Sequence, residues 1–509
     1  MTENRKTVMR ILLRLTAAAV VAGTGWLLYT QSGRRFSDPD RYTVTVIAPT
    51  CTAGGYTQYV NRKTGAVTVR DETAALGHDP GAWQTEKTGS FLERSFRVCA
   101  LCGETEEIYR CTEDIPALFF SGMAAENLNK YDSIPAHAEY RDGEHDFSAE
   151  AAVLAQGHGT LQYAKKNLMA RLYNDLIEQK KVDVRLFGTH DEYKYLLKAN
   201  VSDSSMCRNL TVSALWAELV STRDDLPTKL RTSPAYGASP GYPAAVFVNG
   251  SFYGLYTLNL HKDDDLFHLK SGARDGVLIL NRDGDNPAAR FRAPIDWTDE
   301  EYWEIEACGT EKDDGWLRDK ADALVSLVMN ADDETFRREV GSYLDTDAAV
   351  DYLLALWVYG LPTHGREDLI FAVYDDGVLI PSLYACGDAF GLSDDGTSFS
   401  GAAEFLPRPE GELWDSGTDS LLWDRLYTCF HEELAARYAV LREKVFTREH
   451  ILSCFSSYTD RIPEAVSRAD AEKWGYDIPR DENIRQVSDY LSQRLPLLDG
   501  VLSGNADYG

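Results

Sequence analysis

The chain is poor in positive charge. It carries 52 Lys and Arg against 80 Asp and Glu, a formal net charge of −28 over 509 residues. No long basic cluster interrupts that surplus, so nucleic acid is excluded as a partner and anionic lipid surfaces are repelled. Cysteine is scarce as well. Nine residues, an odd number at wide spacings, do not make a disulfide framework. Two hydrolase signatures are missing: no Gly-x-Ser-x-Gly elbow stands between a strand and a helix, and no His-Glu-x-x-His occurs. What remains is an ordinary globular composition, 44% hydrophobic and 26% charged. General disorder is therefore excluded, and the length suffices for a sizeable core in two or more domains.

The N-terminus holds the exception to the charge rule. Arg5, Lys6, Arg10 and Arg14 precede the apolar run Leu15 to Tyr29, the pattern of an export signal or signal-anchor. Ile11 to Tyr29 is long enough to span a bilayer if Arg14 snorkels to the interface. Trp26, Leu27, Leu28 and Tyr29 fill the ground where a small-x-small cleavage site belongs. Residues 1–36 are accordingly expected to be an uncleaved membrane anchor. A cleaved signal leading to a secreted or coat protein is the next reading, and a buried helix of the fold is the plainest one.

Residues 37–113 read as a small Cys-containing β domain. Tyr42-Thr-Val-Thr-Val-Ile47 alternates as a strand does. Cys51-Thr-Ala-Gly-Gly-Tyr-Thr57 and Cys99-Ala-Leu-Cys-Gly103 follow. They resemble the opening and closing of a small β-repeat found in exported proteins of Firmicutes. Asn61 and Thr64 stand where that repeat would carry a first Cys-x-x-Cys. A zinc site from Cys51, Cys99, Cys102 and Cys111 is one reading, since a Cys-x-x-Cys knuckle suits tetrahedral thiolate ligation. A disulfide or a metal-free unit is the other, and the one favoured outside the cytoplasm. Cys207, Cys308, Cys386, Cys429 and Cys454 read as buried apolar residues.

Beyond residue 114 the chain alternates strand, turn and helix signals. Ile115 to Phe120 reads as an entry strand. In Ala155-Gln-Gly-His-Gly-Thr-Leu-Gln-Tyr-Ala-Lys-Lys-Asn167, Gly157 and Gly159 permit close backbone approach, and Lys165 and Lys166 are placed to meet phosphate. Tyr195 to Asn209 carries Asp203, Ser204 and Ser205 as N-caps for a helix. Asn249-Gly250 and Asp376-Gly377 each predict a hairpin. Between them lies Asn259-Leu-His-Lys-Asp-Asp-Asp-Leu-Phe267, with His261 and Lys262. Asp347 predicts the cap of a helix over Ala348 to Tyr359, stopped by Gly360 and Pro362. Leu421 to Leu502 has helical periodicity.

These blocks together resemble the CotH family, secreted protein-kinase-like spore-coat proteins, in the form common among clostridia. The resemblance implies an α+β fold over 114–509: a kinase-like core with a mixed or antiparallel sheet and C-terminal helices, preceded by the small β domain. The family's motif at Tyr384-Ala-Cys-Gly-Asp-Ala-Phe-Gly391 is Tyr-Asp-x-Asp-[Ser/Thr]-x-[Phe/Trp]-Gly. Its two metal-holding aspartates fall on Ala385 and Gly387, its catalytic aspartate on Thr363, and its metal-binding asparagine on Asp368. Magnesium demands oxygen ligands, which Ala and Gly lack, and a threonine hydroxyl is a poor base. The degenerate motif implies a pseudokinase-type binding or assembly module at the cell surface or spore coat, with coat or surface proteins as partners. Lys165, Lys166 and Lys262 would be its nucleotide contacts. The rival within the family is an active protein kinase using ATP with Mg²⁺ or Mn²⁺, its metal shifted to Asp368 and Asp388 with Asp394 or Asp395 nearby. A wall- or carbohydrate-binding surface protein is the rival outside it.

Overall fold

The computed structural model describes Phe36 and residues 38–157, 159–186, 189, 191–233, 235–263, 265–280, 286–298, 302–310 and 313–503. The expected anchor over 1–36 lies outside these residues apart from Phe36. Among the described residues no helix is long and apolar enough to cross a membrane. The chain divides into two compact units. The first runs to Glu86 and includes Arg94–Ile108; the second comprises Lys87–Glu93 and everything from Tyr109.

In the first unit, β1 (Tyr42–Ile47), β2 (Gly55–Asn61) and β3 (Val67–Thr73) form an antiparallel sheet in that order. The alternation read at Tyr42 does give a strand, but not a half-buried one. Val44, Val46, Val67 and Val69 are all exposed. A second sheet has the order β4 (Gln84–Lys87), β5 (Leu92–Val98) and β6 (Thr105–Cys111).

The second unit is α+β. Its sheet-forming half is a closed barrel of β7 (Ala117–Ser121), β8 (Ile134–Arg141), β9 (Phe147–Gln156), β10 (Asn167–Tyr173), β11 (Lys194–Lys198), β12 (Gly241–Val248) and β13 (Ser251–Leu260). Closure removes the unpaired edges that an open sheet would expose. β12 and β7 run parallel and the other pairs antiparallel, so the sheet is mixed. β8 and β9 show one-in, one-out burial. Asn249 and Gly250, both at positive φ, turn β12 into β13 as the hairpin signal requires.

A four-stranded antiparallel sheet follows, β15 (Trp303–Cys308), β14 (Gly276–Leu280), β16 (Leu369–Val373) and β17 (Ile380–Ser382) in spatial order. β16 and β17 pair as the Asp376-Gly377 signal anticipates, yet the connection is longer than two residues. Asp375 N–H donates to the Asp275 carboxylate and Asp376 N–H to the Arg274 carbonyl, both at 2.8 Å. Capture by that neighbouring segment holds the loop open. Helix Thr346–Tyr359 is buried almost all round, from Ala348 to its end. It is capped by Asp345, whose carboxylate accepts from Ala348 N–H at 2.8 Å, and not by Asp347. Both aspartates suit the role; the cap falls where the backbone is still extended. Gly360, left-handed at φ +68, ends it.

One guanidinium fastens these parts together. Arg208 opens helix Arg208–Ser221 and is fully buried. Its Nη1 donates to Asp203 Oδ1 at 2.9 Å and to Asn483, its Nη2 to Gln486 Oε1 at 2.8 Å, and its Nε to the Ala389 carbonyl at 2.8 Å. Asp203 also accepts from the Arg208 backbone N–H at 3.0 Å, so it caps from outside the helix while Ser204 and Ser205 do not. Asn483 and Gln486 belong to the last helix, Arg480–Leu502. A lysine has neither the planar fork nor the donor count to serve four partners. Arg208→Lys is therefore expected to lower stability by about 3–5 kcal/mol, the scale for breaking a buried charge pair, read as a lower urea midpoint at unchanged slope.

Candidate functional site

The chain leaving β17, Tyr384 to Gly391, is fixed from three sides. Arg208 Nε holds the Ala389 carbonyl, and Gln486 Nε2 donates to the Phe390 carbonyl at 2.8 Å. Phe390 N–H donates to the Tyr359 carbonyl, and its ring packs edge-on to Tyr359. Ala385 and Phe390 are both left-handed, at φ +60 and +61. Aspartate adopts that region several-fold more readily than alanine does. The backbone at 385 thus holds a conformation better suited to an aspartate than to the alanine present. At Gly387 an added Cβ would meet no atom within 4 Å, so the missing side chain leaves open space.

Facing this loop is the turn Thr363–Gly365 after helix Thr346–Tyr359. His364 is buried, and its Nε2–H donates to the Tyr384 carbonyl at 3.0 Å. Tyr352 OH donates to the His364 carbonyl and Trp423 Nε1–H to the Gly365 carbonyl, at 2.8 and 2.9 Å. Burial opposes charge on the imidazole, but the nearby Asp388 carboxylate, with Cys386 and Asp368, outweighs it and lifts His364 to about 10. Burial raises Asp388 to about 6, with Asp394 and Asp368 adding to the rise and His364 opposing it. At neutral pH an internal cation thus sits among the acidic groups of the loop.

Two lysines approach from the barrel. Lys198, at the end of β11, lies 4.6 Å from the Tyr384 ring centre, and Lys262, just beyond β13, lies 5.4 Å from it. Burial drops Lys198 to about 8 despite the counter-charge of Asp368, and Lys262 is paired with Glu306.

The residues singled out in the sequence divide accordingly. Thr363, Asp368 and Asp388 gather about His364, and Lys262 lies on Tyr384, the residue before Ala385. Lys165 does neither: it is buried, bound to Asp470 at 2.8 Å, the Leu255 carbonyl at 2.7 Å and Tyr476 OH at 3.0 Å. It ties the barrel to helix Glu464–Trp474 and has no bond left for phosphate. Lys166 donates to the Leu161 and Tyr163 carbonyls at 2.8 and 2.6 Å and staples its own loop. Both lysines look free in sequence because their partners are carbonyls or lie some 300 residues away. Asp395 accepts from Ser393 Oγ and from Thr397, so it closes a turn instead of facing the cleft.

Among the described residues, Asp368, Asp388 and Asp394 do not converge as a ligand set. The groups that do are Glu192–Asp263–Asp265 and Cys51–His78–Cys99–Cys102. The first is served by Lys194, 2.5 Å from Asp263. There His261 also stands, 3.3 Å from Asp263. In the second, His78 occupies the place expected of Cys111. That cysteine instead ends β6 and packs partly buried in the second unit. A pattern Gly237-Ala-Ser-Pro-Gly241 precedes β12, but Ser239 is buried and donates to the Leu260 carbonyl at 2.7 Å, so it is no nucleophile.

Lys198 and His364 escaped the sequence reading. Lys198 closes β11 directly after Tyr195, Leu196 and Leu197, and His364 adjoins the position where the resemblance places the catalytic aspartate; a charge in either place is the available signal. His364 yields a pH test with a definite sign. Its folded-state value lies above the ordinary 6.5, so its contribution is complete below about pH 6.5 and lost as pH rises toward 10. Thermal midpoints across pH 6 to 10 should fall for the wild type. His364→Gln should flatten that decline and cost roughly 1–3 kcal/mol at pH 7, because Asp388 loses its counter-charge.

Comparison with known proteins gives a family match. The family described as CotH kinase protein matches residues 153–498, a span holding every residue of the cleft. No curated protein matches the chain. With most of its length covered, including β11, the His364 turn and the Tyr384–Gly391 loop, the chain belongs to the CotH family.

Proposed function

We propose that this protein is a non-catalytic member of its family, a binding or assembly module working at the cell surface or in the spore coat. The observation that carries the reading is the substitution of an internal cation for a bound one. Thr363, Ala385 and Gly387 supply no carboxylate where the family has three, and the buried His364 neutralises the acids that remain. Phosphoryl transfer needs a divalent ion between phosphate oxygens and a base at the acceptor. The cleft offers neither in the family's arrangement. Its half-buried Lys198, with Lys262 beside it, still suits an anionic ligand such as a nucleotide held weakly and without metal. Coat or surface proteins are the partners this role requires, and residues 1–36 would anchor the module to the membrane with its two units outside.

Lys198 lying within the field of Asp368 and on the Tyr384 ring favours the active-kinase reading to one extent only: a lysine suited to phosphate stands there. Thermal unfolding of the full chain separates the two. A ligand that binds only the folded state raises the midpoint by mass action. With millimolar ATP, adding Mg²⁺ or Mn²⁺ should raise the wild-type midpoint no further. The double variant Ala385→Asp/Gly387→Asp fits a left-handed position and an open one, and should gain a metal-dependent rise. A metal-dependent rise already present in the wild type and lost in Asp388→Ala would overturn the proposal and assign the chemistry to Asp368 and Asp388.

A further inference from the structure

The first unit has almost nothing to hold it together. Among its described residues only Cys51, Gly55 and Cys99 are fully buried, while Val44, Val46, Val67 and Val69 lie exposed on the sheet. A unit this small without an apolar core needs a staple. Its two buried side chains are thiols, and they face each other.

Cys51 Sγ and Cys99 Sγ are 3.8 Å apart and unbonded. Zn–S bonds of about 2.3 Å at the tetrahedral angle place two sulfurs about 3.8 Å apart. Cys102 Sγ and His78 Nδ1 are 3.4 Å apart, against about 3.6 Å for a sulfur and an imidazole nitrogen on one zinc ion. All four ligand atoms lie within 4.8 Å of one another. The surroundings complete the picture. His78 Nε2, the nitrogen facing away from the sulfurs, is 3.5 Å from Glu104 Oε2. A carboxylate there orients a ligating imidazole and fixes its tautomer. Asp79 N–H donates to Cys99 Sγ at 3.3 Å, the bond a thiolate ligand accepts. The Cys99–Cys102 segment is a tight knuckle: Cys99 N–H donates to the Glu104 carbonyl and Gly103 N–H to the Cys99 carbonyl, with Gly103 at φ +78.

We infer that the first unit is built on a structural Zn²⁺ ion held by Cys51, His78, Cys99 and Cys102. Three thiolates and one imidazole in a closed tetrahedron match the ligand softness and geometry of zinc and leave no open position for catalysis. The ion supplies the folding energy that the exposed sheet does not.

The full chain, isolated under reducing conditions, should carry one zinc per molecule by elemental mass spectrometry and keep it through gel filtration. Cobalt(II) in its place should give tetrahedral thiolate absorption. Cys51→Ser and Cys102→Ser should lose the metal, although these variants could also unfold the unit. Two variants guard against that ambiguity: Cys111→Ser should retain full zinc, and His78→Cys should retain it in a four-thiolate site. Glu104→Gln should weaken binding by about tenfold, the low end for such a supporting group because Glu104 is exposed. A wild-type chain without zinc after exposure to one equivalent, a Cys51–Cys99 disulfide in the isolated protein, or metal loss in Cys111→Ser would each overturn the assignment.

Discussion

The second unit depends on a charge that never reaches water. Arg208 touches the chain at Asp203, Ala389, Asn483 and Gln486, so one guanidinium brings together the start of a helix, the loop after β17 and the final helix. Desolvation alone would make it a poor tenant of the interior. It is stable there because its donors meet oxygens in the plane of the fork. The loop's carbonyls at 389 and 390 are thereby committed to scaffold residues. The site's backbone is held by groups that take no part in any chemistry, and it stands whatever side chains occupy 385 and 387.

On the proposed reading, that separation lets the frame of a kinase-like site outlast its ligands. In an intact site of this kind, carboxylates repel one another until a divalent ion arrives. Under the proposed function, His364 takes over that compensation for Asp388 and Asp368. A bound ion can leave, whereas an imidazolium buried within the turn cannot. On that reading the site is balanced with nothing bound, and an anionic ligand would be met from the barrel side, by Lys198 and Lys262.

Much of the architecture could be read from residues in order. The alternation at Tyr42 to Ile47, the Asn249-Gly250 turn and the helix stopped by Gly360 are local signals, and local signals survive folding. Asp345 in place of Asp347 shows the limit: either residue can cap, and tertiary context chose. The site was legible only where the family motif names positions. Lys165 illustrates why. Its partner is Asp470, and no local pattern links residues that far apart. Lys198 and His364 acquire meaning only when strand and turn are brought face to face. His78 was hidden because Cys111 completed a more familiar set on paper.

The bond between Lys165 and Asp470 spans 305 residues of chain, and Asp470 also accepts from Leu255 N–H at 2.7 Å in the middle of β13. The barrel strands are made early by the ribosome, but their polar fastening arrives with almost the last helix. Until then a lysine destined for the interior has no counter-ion, and non-local closure of this kind is slow. An emerging or translocating chain would stay unfinished, with apolar strands on show, for most of its passage. The barrel's polar core is thus completed last, an order written into the chain by the 305 residues between Lys165 and Asp470.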